Sequence, residues 1–480
     1  MKRQYLYILF GATIFIASCK KDFLVQNPPS AVPVNSAIKT ENDMSDAVNG
    51  MFNAMEPSTL FGRDIPVLGD ELADNVFISS NNSGRYLQEN NYTYSPISTE
   101  PFNIWSQGYY AILQANRILS ASLPASANVS QLRGEAYISR ALVYLELVNF
   151  YGTPYTVDKT ALGVPLITAP TNSSTALTDK PSRATVQVIY TKIISDLDSA
   201  YATMPAAGAP TLQPANSEYL SKFAAKAIEA RAYLYEGDYA DAATAALLVV
   251  NSGDYSLVAP GSLVPYWDNP GPTVASETIF ELALTTANNN GTDGLDSFYD
   301  QAGYGDGLCT PDLYNLYSAT DQRQQLILTS SPKRGAVFVV NKYTNFSNPS
   351  DKDDIKIIRY AEVLLTLAES DARNGDEPDA LKYLNMLAQN RDPSFAGYAS
   401  TGNQLITDIL NERRKELAFE GLRFFDFTRL NLPIVRQQLG PSVSAASIGL
   451  IPVGDTRRIL PVPQSEIDAN PNIKQNPGYQ

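Results

Sequence analysis

The chain has 480 residues, 44% of them hydrophobic, and its 36 Lys and Arg against 50 Asp and Glu leave a formal charge of −14. That balance excludes a nucleic-acid binder, which needs basic stripes to hold phosphates, while the length and apolar content are ample for a core. The complete absence of histidine removes Ser-His-Asp and Cys-His catalysis and imidazole-built zinc sites, though not a glycosidase-type carboxylate pair, whose signature is a separation in space.

At the N-terminus Lys2 and Arg3 precede an apolar run from Leu6 to Ser18, followed by Cys19. The run is a secretory signal and is too short to cross a bilayer as a helix. Ile16-Ala17-Ser18-Cys19 resembles the lipobox of bacterial lipoproteins, so residues 1–18 are expected to be removed and Cys19 to carry lipid, tethering the body to a membrane. The other cysteine, Cys309, then has no disulfide partner. Residues 19–37, rich in Pro, Asn and Ser, read as a flexible tether, and 38–480 as a single domain.

Apolar spacing predicts helices over Met44–Met55, Asn103–Ser120, Arg133–Tyr151 and Ala184–Met204, the last with Ser182 as its cap and Pro205 as its stop. Phe223–Glu236 and Ala240–Val250 flank Gly237-Asp238, and Ile357–Asn374 and a segment ending at Gln389 flank Gly375-Asp376; each reads as an antiparallel helix pair with a tight turn. The alanine pattern through Ala230, Ala232, Ala242, Ala243 and Ala246 looks like a tetratricopeptide unit. Helix pairs are thus expected within 103–252 and 357–430.

Between them, Asn251–Asn348 is broken by glycines and prolines and reads as loops. It carries Trp267, Tyr299 and Tyr304, and an earlier segment, 56–102, carries Asp70, Asn75, Arg85 and Tyr86. Flat rings flanked by short polar groups suit a sugar, whose C–H face stacks while its hydroxyls seek donors and acceptors. The candidate ligand site is therefore Trp267, Tyr299 and Tyr304 for stacking, with Asp70, Asn75, Arg85 and Tyr86 for hydroxyl contacts. The competing reading is that tyrosines close over the loops as core. Near the C-terminus, Glu412, Arg413, Arg414, Glu416, Glu420, Arg423, Asp426 and Arg429 surround Leu417, Phe419, Phe424 and Phe425, a pattern read as one helix with ion-paired ridges and a scaffold role. No residue is singled out as catalytic.

Several blocks carry a family resemblance: Cys19-Lys20-Lys21-Asp22-Phe23-Leu24, Arg133-Gly134-Glu135-Ala136-Tyr137, Arg359-Tyr360-Ala361-Glu362, Asn411-Glu412-Arg413-Arg414-Lys415-Glu416, Leu460-Pro461-Val462-Pro463 and Asn476-Pro477-Gly478-Tyr479. In this order they resemble the SusD/RagB family of nutrient-binding lipoproteins of Bacteroidetes, over essentially the whole mature chain. The resemblance implies a mostly α fold, with four tetratricopeptide-like helix pairs as scaffold and long loops as ligand face. It also implies an outer-membrane, exterior-facing lipoprotein that binds glycan without cleaving it and passes it to a SusC-like TonB-dependent barrel. No cofactor is implied, and a loop-supporting calcium stays open. The rival expectation is a peptide-binding or purely protein-interacting lid on the same barrel; a surface glycosidase is the third.

Overall fold

The computed structural model describes residues 37–171, 178–206, 208–268, 271–272, 276–350 and 352–479. The expected signal peptide, Cys19 and all but the last residue of the tether lie outside the described residues. In chain order the first helices are α1 (Glu41–Met55), α2 (Asp64–Glu71), α3 (Leu87–Asn91), α4 (Thr99–Ser120), α5 (Ala127–Tyr151), α6 (Val186–Thr203), α7 (Lys222–Glu236) and α8 (Tyr239–Ser252). They continue with α9 (Leu263–Asp268), α10 (Leu295–Tyr299), α11 (Tyr360–Asn374), α12 (Glu377–Arg391), α13 (Gly402–Glu416) and α14 (Arg423–Arg429). The fold is mostly α, as expected, and no described helix is long and apolar enough to cross a membrane.

Short polar side chains start these helices by taking up free first-turn amides. Thr40 and Asp43 form a reciprocal capping box at α1, and Ser126 accepts from the Val129 amide at α5. From Gly134 onward α5 is buried on nearly every side, which makes it the central helix of the N-terminal half. The two tight helix pairs use one device twice. Gly237 (φ 79°) and Gly375 (φ 89°) end α7 and α11 in the left-handed region, and Asp238 and Asp376 cap α8 and α12.

Helices α1, α4 and α5 start three, four and six residues earlier than expected, and three further elements depart from the sequence expectation. Arg183–Thr185 forms a strand, β3, paired with β2 (Leu162–Pro165), so α6 starts later and is capped by Thr185 instead of Ser182. Ile355–Arg359 forms β8, antiparallel to β4 (Thr278–Leu282), because its isoleucines suit a pleated, half-buried surface; α11 begins only after it. The charged C-terminal stretch is two helices, α13 and α14, separated by a break in which Phe419 (φ 69°) and Gly421 (φ 81°) both adopt left-handed backbone. The break is pressed against α2 so closely that a Cβ on Gly69 would lie 1.8 Å from the Gly421 carbonyl oxygen.

The charges of that stretch are not surface ridges. Glu412 and Arg413 are fully buried, and Glu416 is nearly so. Glu416 meets Arg359 at 2.9 Å, Arg391 at 2.9 Å and Arg323 at 3.1 Å, while Arg359 also reaches Glu277 at 2.6 Å and Glu420 at 2.5 Å. Burial alone would raise the Glu416 carboxyl, yet Arg391, Arg359 and Arg323 hold it well below the ordinary carboxylate range. This network ties α12 and α13 to β8 and to Glu277, the residue before β4. One contiguous apolar cluster runs from Met44 to Tyr479. Cys309 lies in it, and burial pushes its thiol far above the usual range, which makes it chemically inert.

Candidate ligand face

The exposed loops are gathered by a small sheet. Strand β1 (Val76–Ile78) pairs antiparallel with β5 (Gly307–Cys309), with Ile78 opposite Gly307, and the ladder continues as the Ser79 amide donates to the Asp306 carbonyl at 2.9 Å. Antiparallel register puts the chain leaving β1, residues 79–86, beside the chain entering β5, residues 300–306. The sheet continues through β7 (Val339–Val340) to β6 (Ile327–Leu328), and the connection between these two strands supplies Lys333 and Arg334.

Arg334 fastens the loops together. Its Nε donates to Ser79 Oγ at 3.0 Å, its Nη1 to Gln301 Oε1 at 2.7 Å, and its Nη2 to the carbonyls of Asn81 and Tyr304, both at 2.9 Å. Burial pulls this guanidinium below its usual range, against the pull of Asp306 3.4 Å away. Asp306 also accepts from Ser83 Oγ at 2.5 Å, so the 79–86 loop is held from two sides. Above this clamp the Arg85 guanidinium carbon lies 3.9 Å from the centre of the Tyr304 ring, and its Nη2 donates to Asp293 at 2.8 Å. The Arg85 side chain is 32% exposed and that of Asp293 53%. Lys333 Nζ donates to the Gly303 and Tyr304 carbonyls at 2.9 and 3.1 Å.

Of the seven residues expected from sequence, Arg85 and Tyr304 are brought together on this face, and the other five are interior. Tyr299 is fully buried, stacked on Tyr343 with ring centres 5.8 Å apart and wedged against Phe419. Trp267 is 3% exposed, with the Lys342 ammonium 4.2 Å from its centre and Arg359 and Lys356 at 5.2 and 5.3 Å. A ring covered by three cations and by Tyr266 and Tyr343 has no face left for a ligand. Tyr86 is buried and donates its hydroxyl to Asp64 at 2.5 Å. Asp70, on α2, accepts from Asn75 Nδ2 at 2.8 Å and from the Gly421 amide at 2.7 Å; burial raises its carboxyl to about 6. Asn75 in turn accepts from Arg414 at 2.9 Å. Burial corrects these five to structural residues: Asp70 on α2, Trp267 on α9 and Tyr299 on α10 turn into the core, and so do Asn75 and Tyr86 from the segments just before β1 and α3. Sequence reasoning missed Asp293, Lys333 and Arg334. The turn-rich run Asn288–Gly294 and the basic pair within Pro332-Lys333-Arg334-Gly335, unusual in an acidic chain, were the available signals.

The comparisons with known proteins speak to the same architecture. The model described as "SusD family" matches residues 336–479, and the model described as "Starch-binding associating with outer membrane" matches residues 22–234. A SusD superfamily protein of Bacteroides thetaiotaomicron has a solved structure with TM-score 0.80 and 28% identity, over 92% of this chain and all of that one. The chain belongs to the SusD/RagB family. The chain is also similar to a putative sugar-binding protein of Bacteroides vulgatus, with TM-score 0.82 and 26% identity over 93% of this chain and 100% of that chain. SusD-like protein P2 of Formosa agariphila is 27% identical, over 95% of this chain and 96% of its own length. The SusD/RagB assignment thus spans both the helical N-terminal half and the C-terminal charge network.

Proposed function

We propose that this chain is a glycan-capture lipoprotein of the outer membrane, which binds oligosaccharide or polysaccharide at the face built around Arg85 and Tyr304 and delivers it to a SusC-like TonB-dependent barrel. The observation that carries the reading is the half-exposed Arg85–Tyr304–Asp293 group, in which a ring, a guanidinium and a carboxylate stand side by side on clamped loops. That combination offers a stacking surface together with hydrogen-bond donors and acceptors, which is the chemistry of sugar recognition. The family description as starch-binding and outer-membrane-associated, and a structural relative described as a putative sugar-binding protein, support it. Barrel partner, exterior orientation and the lipid on Cys19 belong to the same proposal and rest on the family resemblance and the N-terminal motif.

The role is binding without cleavage. Two carboxylates of this face, Asp293 and Asp306, are bonded to Arg85 and Arg334, so neither stands as the free acid or base that a glycosidase needs beside the scissile bond. The helix pairs serve as the scaffold behind the loops. The test is affinity electrophoresis of the purified protein through gels containing plant, microbial and host polysaccharides, followed by calorimetry on any that retard it. Retardation by one polysaccharide class, lost in Arg85→Ala and Tyr304→Ala, carries the reading. Mobility unchanged in all of them overturns it in favour of peptide capture or a purely protein-binding lid, and released oligosaccharide products would reinstate the glycosidase.

A further inference from the structure

A second concavity lies in the helical scaffold and shares no residue with the Arg85–Tyr304 face. Residues 205–206 and 208–221, in the connection between α6 and α7, fold against the start of α5, the end of α8 and the beginning of β4 and line a half-open cavity of about 310 Å³. Such a volume stands at the lower end of small-molecule pockets, about 300–1,000 Å³. The connection is pinned from behind, as the Glu281 amide of β4 donates to the Ser217 carbonyl at 2.9 Å. Gln131, Gln213, Tyr219, Lys222, Asp254 and Tyr255 give the lining its chemistry.

The two glutamines are oriented by one buried carboxyl. Glu135, fully buried behind the wall, accepts from Gln131 Nε2 at 2.6 Å and from Gln213 Nε2 at 3.3 Å, and Gln131 Nε2 also donates to the Leu220 carbonyl at 2.8 Å. With their nitrogens turned to Glu135, both amide oxygens remain as acceptors; neither has a hydrogen bond among the described residues, and neither is sealed from solvent. The Tyr219 hydroxyl is equally unengaged and open, while its ring is steadied edge-on by Phe52, centres 6.4 Å apart. Tyr255 adds a second ring, its hydroxyl fixed by Ser221 at 2.7 Å. Lys222 and Asp254 contribute one charge of each sign, so the lining carries no net preference for an ion.

We propose that this cavity is a separate binding site for a short neutral saccharide of one or two rings. Preset amide acceptors call for a ligand rich in hydroxyl donors, two tyrosines offer ring faces to a C–H surface, and the balanced charge favours an uncharged molecule. The site stands independently of the loop-face reading.

The test is saturation-transfer NMR on the full-length protein in a detergent without sugar groups, with cellobiose, xylobiose and mannobiose as probes and triglycine as the peptide control. At least one disaccharide is expected to receive saturation, and Gln131→Ala to weaken its binding about fivefold, the size of one lost neutral hydrogen bond. Tyr219→Phe, which keeps the ring and removes only the hydroxyl, serves if Gln131→Ala fails to fold by circular dichroism. All spectra are recorded in the Arg85→Ala, Tyr304→Ala double variant, which disables the loop face, so failure here and failure of the loop face are read separately. No saturation of any disaccharide in that background, saturation of triglycine alone, or a signal unchanged in both cavity variants overturns the proposal.

Discussion

Arg85 lies across the face of Tyr304, its guanidinium carbon 3.9 Å from the ring centre, although the two residues reach this point from opposite strands of one antiparallel pair. The contact exists because β1 and β5 bring residues 79–86 and 300–306 to one end of the sheet, and Arg334 ties them there. Tyr304→Ala is expected to weaken polysaccharide binding by about 2 kcal/mol, a typical loss for an aromatic anchor. Its thermal unfolding should stay near that of the parent, since surface positions of this kind carry little stability. Calorimetric titration and a thermal melt on the same sample check both halves.

Trp267→Ala is expected to behave in the opposite way. The ring is buried between Tyr266 and Tyr343 under Lys342, Lys356 and Arg359, so its removal leaves a cavity and strips three cations of their partner. A loss of about 3–5 kcal/mol is the usual scale for such a deletion. Denaturant unfolding reads it, and unchanged stability would return Trp267 to the list of ligand residues.

Glu416→Gln tests the buried network. The carboxylate neutralises parts of Arg323, Arg359 and Arg391 at 2.9–3.1 Å in a region closed to water. Removing one charge from such a cluster costs about 3–5 kcal/mol because the remaining charges stay buried without compensation. Arg85→Ala, which breaks a half-exposed pair, is expected to cost under about 1 kcal/mol on the same denaturant curves.

Stability is expected to fall as pH rises through the neutral range. Burial raises Glu135 from 4.5 to about 8, against the hydrogen bonds from Gln131 and Gln213, which lower it. Between those two values the folded protein holds a proton that the unfolded chain has released. The contribution is therefore full below pH 4.5 and is lost as pH approaches 8. Glu135→Gln, fixed in the neutral form, should show a shallower decline across that window in urea unfolding series, and a slope identical to the parent's would remove Glu135 as its source.

The helix pairs were legible because their signals are local. An aspartate cap next to a glycine that ends the preceding helix, as at Gly237-Asp238 and Gly375-Asp376, needs no distant partner. The break in the C-terminal charged stretch was not legible, since a continuous helical period runs through Phe419 and only the approach of α2, with Gly69 against Gly421, shows why the helix must stop. The seven site residues divide on the same ground. Composition and loop position can nominate a tyrosine, but they do not say which side of a loop faces inward. Tyr299 and Tyr304 are five positions apart, one under Tyr343 and the other under Arg85.

By itself the sequence determined the family, the mostly helical class and the exclusion of histidine chemistry, because these rest on residue identity, order and short-range periodicity. Only the tertiary structure decided which aromatic rings are core and which are surface, that the C-terminal charges form an interior network, and that Asp293 and Arg334 join a site with Arg85 and Tyr304. Each of those depends on pairing between segments tens to hundreds of residues apart, and burial is a property of that pairing, which no local pattern encodes.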